Sequence, residues 1–421
     1  MTGSLEGHGR YRHEKDADGS EGGDVVRYST YFGFDGTRLS GVSSLSMSKI
    51  SANGIRVPLA QRITIGVELE SYTIRLPEYS IGRELAFPRK GVRESGERFA
   101  RDASIGTEYN SQPFSTIREG LFLLKGGLRK YNRSHYQRKS RSKKGHQLLL
   151  VGGWRDRFAG THIHISLADR EINKEEAKSL ASYLHDHIPF LLAMGANSPI
   201  RDDEITQIAS NRVLRASHKY FRPVKRGVLT SRLYDEMTYN KGRVRKPGTL
   251  EIRILDSNVP EFVMACVCMA KAVTMAWLVR KKAVNKISHQ DYLKARINAA
   301  KNGMKAKLCW NKKWISAGKY LDYFVWSFRD ELRVMDIPHE IWVTLKLLKN
   351  GWNGSAFLSK AADLAYQEHP QTWQRRFAKR YASGLDVLLR GNSLADFGKG
   401  MGMDVRPKRG TWLGRKSLKL S

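Results

Sequence analysis

"GTHIHISL", residues 160–167, sets two histidines one residue apart between isoleucines. Apolar residues at every second position predict a strand, and in a strand residues i and i+2 share a face. His162 and His164 therefore project together, while Ile163 and Ile165 project the other way. The same arrangement recurs in two other stretches. "IGVELESY", residues 65–72, pairs Glu68 with Glu70 around Leu69, and "TLEIRILD", residues 249–256, pairs Glu251 with Arg253 around Ile252. Each strand thus has one greasy face and one ionisable face. If the three belong to one sheet, their ionisable faces make an acidic, imidazole-lined floor. Carboxylates crowded in this way repel one another unless cations sit between them. Carboxylate oxygens are natural ligands of Mg²⁺ or Mn²⁺, and imidazole joins them in mixed sites. "RDASIGTEYNSQP", residues 101–113, adds Asp102 and Glu108 in a segment whose Gly106 and Pro113 suggest a strand edge or a loop. Glu108 is the further ligand expected.

Taken singly, these motifs are weak. E-x-E is ordinarily a solvated strand face, and E-x-R is ordinarily a surface ion pair. H-x-H divides about evenly between a packed pair and a metal or phosphate contact. Their apolar strand context and their order along the chain give them weight together. In that order the series resembles the glutamine synthetase / γ-glutamylcysteine ligase superfamily, and within it the amidoligase group of carboxylate–amine ligases. "GVELE" resembles the first metal-binding strand of that group, and "DASIGTEYNSQP" its D-x-S-x-x-x-E-x-x-S-x-P segment. "AGTHIHISL" is similar to the G-x-H-x-H-x-S strand of glutamine synthetases, and "TLEIRILD" to their x-E-x-R-x-x-D strand.

The resemblance spans roughly residues 63–280 and implies an α+β fold: a curved antiparallel sheet with helices on its convex side. It implies ATP and Mg²⁺ (or Mn²⁺) as cofactors. Glu68, Glu70, Glu108, His162 and Glu251 are then the metal ligands. His164 lies nearer the ATP phosphates, and Arg253 holds the γ-phosphate or the acyl phosphate. The implied reaction is amide formation between a carboxylate and an amine through an acyl phosphate. It needs no protein nucleophile, and no convincing Ser or Cys nucleophile motif is present. "ASNRVLRASHKYFRPVKRG", residues 209–227, offers Asn211, Arg212, Arg215, Arg222 and Lys225 for ATP and substrate. A basic surface helix accounts for that stretch equally well. The motifs specify a chemistry and leave the two substrates and the oligomeric state open.

The rest of the chain is organised around this segment. Residues 1–61 are rich in Gly, Ser and charge and read as a flexible tail. Their opening stretch has no apolar core of the kind a signal peptide carries. Residues 62–284 alternate short strands and helices and read as the catalytic domain. Residues 285–398 read as an aromatic, basic helical domain, and 399–421 as a basic tail. The apolar run 262–279 is interrupted by Lys271 and reads as a helix packed on a sheet rather than a membrane span, since a charge at mid-bilayer is costly. The three cysteines form no C-x-x-C pair, and their number is odd. This excludes a disulfide framework and points to a reducing, cytoplasmic compartment.

Lys and Arg number 73 against 41 Asp and Glu, a formal net charge of +32. Such a chain attracts polyanions. The densest basic stretches are "NRSHYQRKSRSKKGH", in the segment 132–147, and "WQRRFAKRY", residues 373–381. The expected partners are therefore carboxylate and amine substrates together with a polyanion: nucleic acid, an acidic protein or polyglutamate. Two other readings of the motifs stay open. A two-metal nuclease or phosphohydrolase also uses acidic and histidine strands, and it would produce cleaved nucleic acid instead of ADP and an amide. A non-catalytic ligase-fold scaffold would be free to lose ligands, yet all five expected ligands are present.

Overall fold

Ile63–Leu76 is the strand around which the protein is built. The computed structural model describes residues 47–50, 56–82, 97–102, 105–137, 145–215, 221–230, 235–242, 247–280 and 283–414. Most of the expected N-terminal tail, residues 138–144 of the basic loop and residues 415–421 lie outside them. Among the described residues, an eight-stranded sheet runs in the order Met237–Asn240, Thr249–Asp256, Gly160–Leu167, Ile63–Leu76, Gly106–Asn110, Arg98–Asp102, and two more strands pair with the long one. Every pairing in it is antiparallel. The long strand changes neighbours half-way. Its first part lies between Gly160–Leu167 and Gly106–Asn110, and its last part lies between Ser80–Gly82 and Gly145–Leu149.

The period-two pattern explains which face is covered. Ile63, Ile65, Val67 and Leu69, with Ile163, Ile165, Leu250 and Ile252 from the neighbouring strands, are all buried. Each such side chain stabilises the fold by roughly 1.5–3 kcal/mol through removal from water. The helix Pro260–Arg280 lies in the layer that covers them, packed against Ile117–Gln137, Lys174–Leu184 and Ile188–Gly195. By length and composition alone Pro260–Arg280 could cross a membrane, but 83% of its most apolar window is buried inside the protein. Lys271 sits in its middle and is satisfied by the main chain, donating to the carbonyls of Ile63 and Ser115.

Two elements depart from the periodicity reading. The stretch 173–199 reads as one helix opening at an Asn cap. Asn173 does cap it, with Glu176 completing a capping box. The helix nevertheless ends at Leu184, passes through a tight turn at His185–His187, and restarts as Ile188–Gly195. Pro189 causes the break, because its ring cannot donate and would crowd the carbonyl four residues before it. It sits in the first turn of the second helix, where it is tolerated.

Beyond residue 285 the sequence predicts helices only. The structure adds a hairpin, Lys307–Trp310 with Lys313–Ser316. Its two-residue turn, Asn311-Lys312, has φ of 44° and 70°, the left-handed pair that matches the twist of a hairpin. The helices after 285 share one hydrophobic core with the sheet layer. Arg329–Val334 and His339–Lys349 pack directly on Pro260–Arg280.

Candidate active site

Residues directly opposed in an antiparallel pair project to the same face. Glu68 is opposed by His162 on one side and Asn110 on the other. Glu70 is opposed by Glu108, His164 by Glu251, and Glu251 by Thr238. Four strands therefore deliver Glu68, Glu70, Glu108, His162, His164 and Glu251 to one face. The side chains converge. His162 Nδ1 lies 3.4 Å from both Glu68 Oε2 and Glu251 Oε1, and His164 Nε2 lies 3.5 Å from Glu68 Oε1. His162 Nε2 is 3.8 Å from Glu70 Oε1. Gly66, on the same face, is opposed by His164. A Cβ there would sit 3.8 Å from that of His164, so a longer side chain would extend over the imidazole.

Arg253 reaches the same cluster through an irregularity. The register between Thr249–Asp256 and Gly160–Leu167 slips by one residue between Ile252 and Leu255. A bulge of this kind bends the strand and re-aims a side chain. Arg253 Nη1 donates to Glu251 Oε1 at 2.6 Å. The bulge is held from both sides. Arg253 N donates to Glu236 O at 2.9 Å, and Arg212 donates to Arg253 O at 3.1–3.2 Å and to Leu255 O at 2.9 Å. The Arg212 guanidinium is fully buried, stacked over Phe221 at 3.9 Å, and turned onto the main chain. Gly160 is required beside it, because any Cβ there would collide with the guanidinium. The Gly160 N–H donates instead to Glu70 Oε2 at 2.5 Å.

Asp256, at the end of that strand, gathers a third segment. Its carboxylate accepts from Asn197 N at 2.7 Å, Ser198 Oγ at 2.8 Å and Ser210 Oγ at 3.0 Å. Burial keeps its carboxyl above the ordinary range despite Arg212 and those three donors. Of the other residues expected at the site, Asn211 is buried and donates to Ser198 O. Arg215, Arg222 and Lys225 are exposed, and none of the described contacts ties them to the carboxylates. The side chain of Asp102 lies outside the described residues.

Sequence reasoning passed over Asp256 and Glu236. Asp256 ends the quoted E-x-R strand and was the more legible of the two. Glu236 lies in a stretch with no motif, and only its contacts reveal it.

The electrostatics follow from crowding. Burial alone would raise Glu68, but hydrogen bonds and charge from His162 and His164 hold its carboxyl far below the usual carboxylate range. Glu108 is pushed up by burial and then by Glu68 and Glu70, which the amide of Asn110, donating at 2.6 Å, only partly offsets. One nearby carboxylate is thus held charged and another is disfavoured as a charge. That contrast suits a site that gains cations. The donor set fits a divalent metal: Glu68, His164 and Glu251 each present a ligand atom, all within 4.8 Å of one another. His162 Nε2 and Arg253 Nε are buried without a hydrogen-bond partner among the described residues. Both are groups that a bound ion or phosphate would satisfy.

No protein-family model matches the chain, and no curated protein matches it in sequence. Among solved structures, the fold is similar to that of the ligase PafA in its complex with the prokaryotic ubiquitin-like protein Pup. The TM-score is 0.54 and the identity 12%, over 82% of this chain and 80% of that one. It is similar also to a bifunctional glutathione synthetase from Pasteurella multocida, with TM-score 0.54 and 12% identity, over 78% of this chain. The match covers 52% of the synthetase, about half its length. At this identity the likeness establishes a fold. It is the glutamine synthetase-like α+β fold with a large antiparallel sheet, as the order of the motifs implies.

Proposed function

We propose that the protein is an ATP-dependent carboxylate–amine ligase that uses Mg²⁺ or Mn²⁺ and forms an amide through an acyl phosphate. The observation that carries this reading is the convergence of Glu68, Glu70, Glu108, His162, His164 and Glu251 on one sheet face, with Arg253 bonded to Glu251 beside a bulge. The similarity of the fold to two ligases supports it.

Glu68, His164 and Glu251 would hold the cation, with Glu70, Glu108 and His162 beside them. When bound, the metal would neutralise charge that develops on phosphoryl oxygens. Arg253 serves the same end from the protein side. Its guanidinium is fixed by Glu251, so it meets the transferring phosphoryl group already oriented, which is how electrostatic catalysis is most effective. In the reaction a substrate carboxylate oxygen attacks the γ-phosphorus, and the bond to the bridging oxygen of ADP breaks. The amine then attacks the acyl carbon, phosphate leaves, and the amine loses a proton. The PafA complex holds a protein partner, which supports a polypeptide as one of the two substrates here. The three cysteines are all free and buried, which supports a reducing compartment such as the cytoplasm.

The test is an ADP-release screen of carboxylates against amines with Mg²⁺ and Mn²⁺, followed by mass spectrometry. The expected product weighs the sum of the two substrates less one water. Metal-dependent cleavage of nucleic acid without ADP would replace this reading with a phosphohydrolase.

A further inference from the structure

The helix Trp373–Leu389 has two unlike faces. Trp373, Phe377, Tyr381 and Leu385 recur every four residues and are buried. They dock the helix on the loop that leads into the histidine strand: Phe377 stacks on Trp154 at 5.1 Å, and Tyr381 donates to Leu150 O at 3.2 Å. The other face carries Thr372, Arg375, Arg376, Lys379 and Arg380. With Tyr79, Ser383 and Gly400 it lines a cleft of about 560 Å³. The four cations recur over about 8 Å of helix axis, at 1.5 Å per residue.

Three observations point to a ligand. The charge is unbalanced: Glu368 pairs Arg376 at 2.8 Å and Arg380 at 2.9 Å, and Arg375 and Lys379 have no acidic partner among the described residues. Arg380 Nη1 is buried without a hydrogen-bond partner among those residues. Tyr79 stands at the tip of the turn between Ile63–Leu76 and Ser80–Gly82 with φ of 56°. That is left-handed backbone, a costly place for a bulky residue, and such strain gathers at functional positions. The turn thus sets a half-buried aromatic residue, packed in part on the core, in the same cleft as the row of cations.

We propose that this cleft binds single-stranded nucleic acid, with phosphates on Arg375, Arg376 and Lys379 and a base against Tyr79. Guanidinium forks recognise phosphate in bidentate fashion. A basic groove with an aromatic platform is how single strands are held without sequence preference. A carboxylate chain would use the cations and leave the ring idle. A duplex hides its base faces in the stack and cannot reach it. The net charge of +32 draws such a strand from a distance. This inference stands independently of the ligase reading.

The experiment is fluorescence anisotropy of the full chain with labelled oligothymidylate, the matching duplex and polyglutamate, each titrated with salt. The single strand is expected to bind tightest. The logarithm of its affinity should fall linearly with the logarithm of salt concentration, by about 0.7 per phosphate neutralised. Reversing Arg375 and Lys379 together to Glu should reduce that slope by about 1.4. Both side chains are exposed, so the fold is kept. Tyr79→Asn removes the ring while suiting the left-handed backbone, and should weaken single-strand binding roughly five- to a hundred-fold. Polyglutamate or duplex binding as tightly as the single strand would overturn the proposal. So would a slope unchanged by the double reversal, or affinity untouched by Tyr79→Asn.

Discussion

At the scale of single residues, the shared acidic and histidine face was legible because strand geometry is strict. Three i, i+2 pairs, at 68/70, 162/164 and 251/253, fix which side chains share a face once the strands are recognised. Sequence could not show the bulge beside Arg253, since a one-residue slip has no letter of its own. Glu68→Gln or Glu251→Gln should lower metal-dependent ADP release by on the order of a hundred-fold or more, because several kcal/mol of charge stabilisation is lost. Near-normal turnover of either variant at saturating Mg²⁺ would exclude the assigned ligands.

A second prediction concerns His187, fully buried, with its Nδ1 2.9 Å from the Tyr320 hydroxyl. Burial lowers its pKa from 6.5 to about 4. The unfolded chain therefore binds a proton that the folded chain refuses, so stability rises with pH across that window. It is fully present above pH 6.5 and should fall by about 3 kcal/mol towards pH 4. Urea denaturation across that range checks it, and His187→Asn should flatten the acid limb relative to the parent. An unchanged limb would rule His187 out as its source.

Among the elements, those with strong period were readable, and those decided by one backbone detail were not. Asn173 signalled its helix start, while the break at His185–His187 depended on a proline at the far side of the turn. Asn311-Lys312 offered only one residue suited to a hairpin turn, inside a stretch that otherwise reads as helix. The anchoring of the bulge is equally silent in sequence. Glu236 is wholly buried and accepts from the Tyr292 hydroxyl, from Arg296 Nε at 2.7 Å and from Val224 N at 2.9 Å, while its carbonyl receives Arg253 N. Through it the helix His289–Asn302 steadies the strand that carries Glu251. Glu236→Leu should cost about 3–5 kcal/mol, since it strands the Arg296 charge in the interior. A loss below about 1 kcal/mol in chemical denaturation would show that the network adds little.

For the whole molecule, the sequence reading divides the chain at residue 284, because strands give way to helices there. Among the described residues, buried apolar side chains on both sides of that residue belong to one cluster. Arg329–Val334 and His339–Lys349 pack on Pro260–Arg280, and Arg280 donates to Glu331 at 2.6 Å. A chain ended at 284 is therefore expected to lack a cooperative thermal transition and to bind hydrophobic dyes, whereas the full chain should melt in one step. A sharp, independent transition in the shortened chain would support the two-domain division.

The same buried helix has a consequence in time. A ribosome completes Pro260–Arg280 before it has made the segments 329–334 and 339–349 that will cover it. At about 5–20 residues per second, the gap lasts several seconds. Throughout that interval a nascent chain displays a segment greasy enough to pass for a membrane anchor. Chaperone capture of stalled chains should thus peak for those halted just past this helix and fade once His339–Lys349 has emerged.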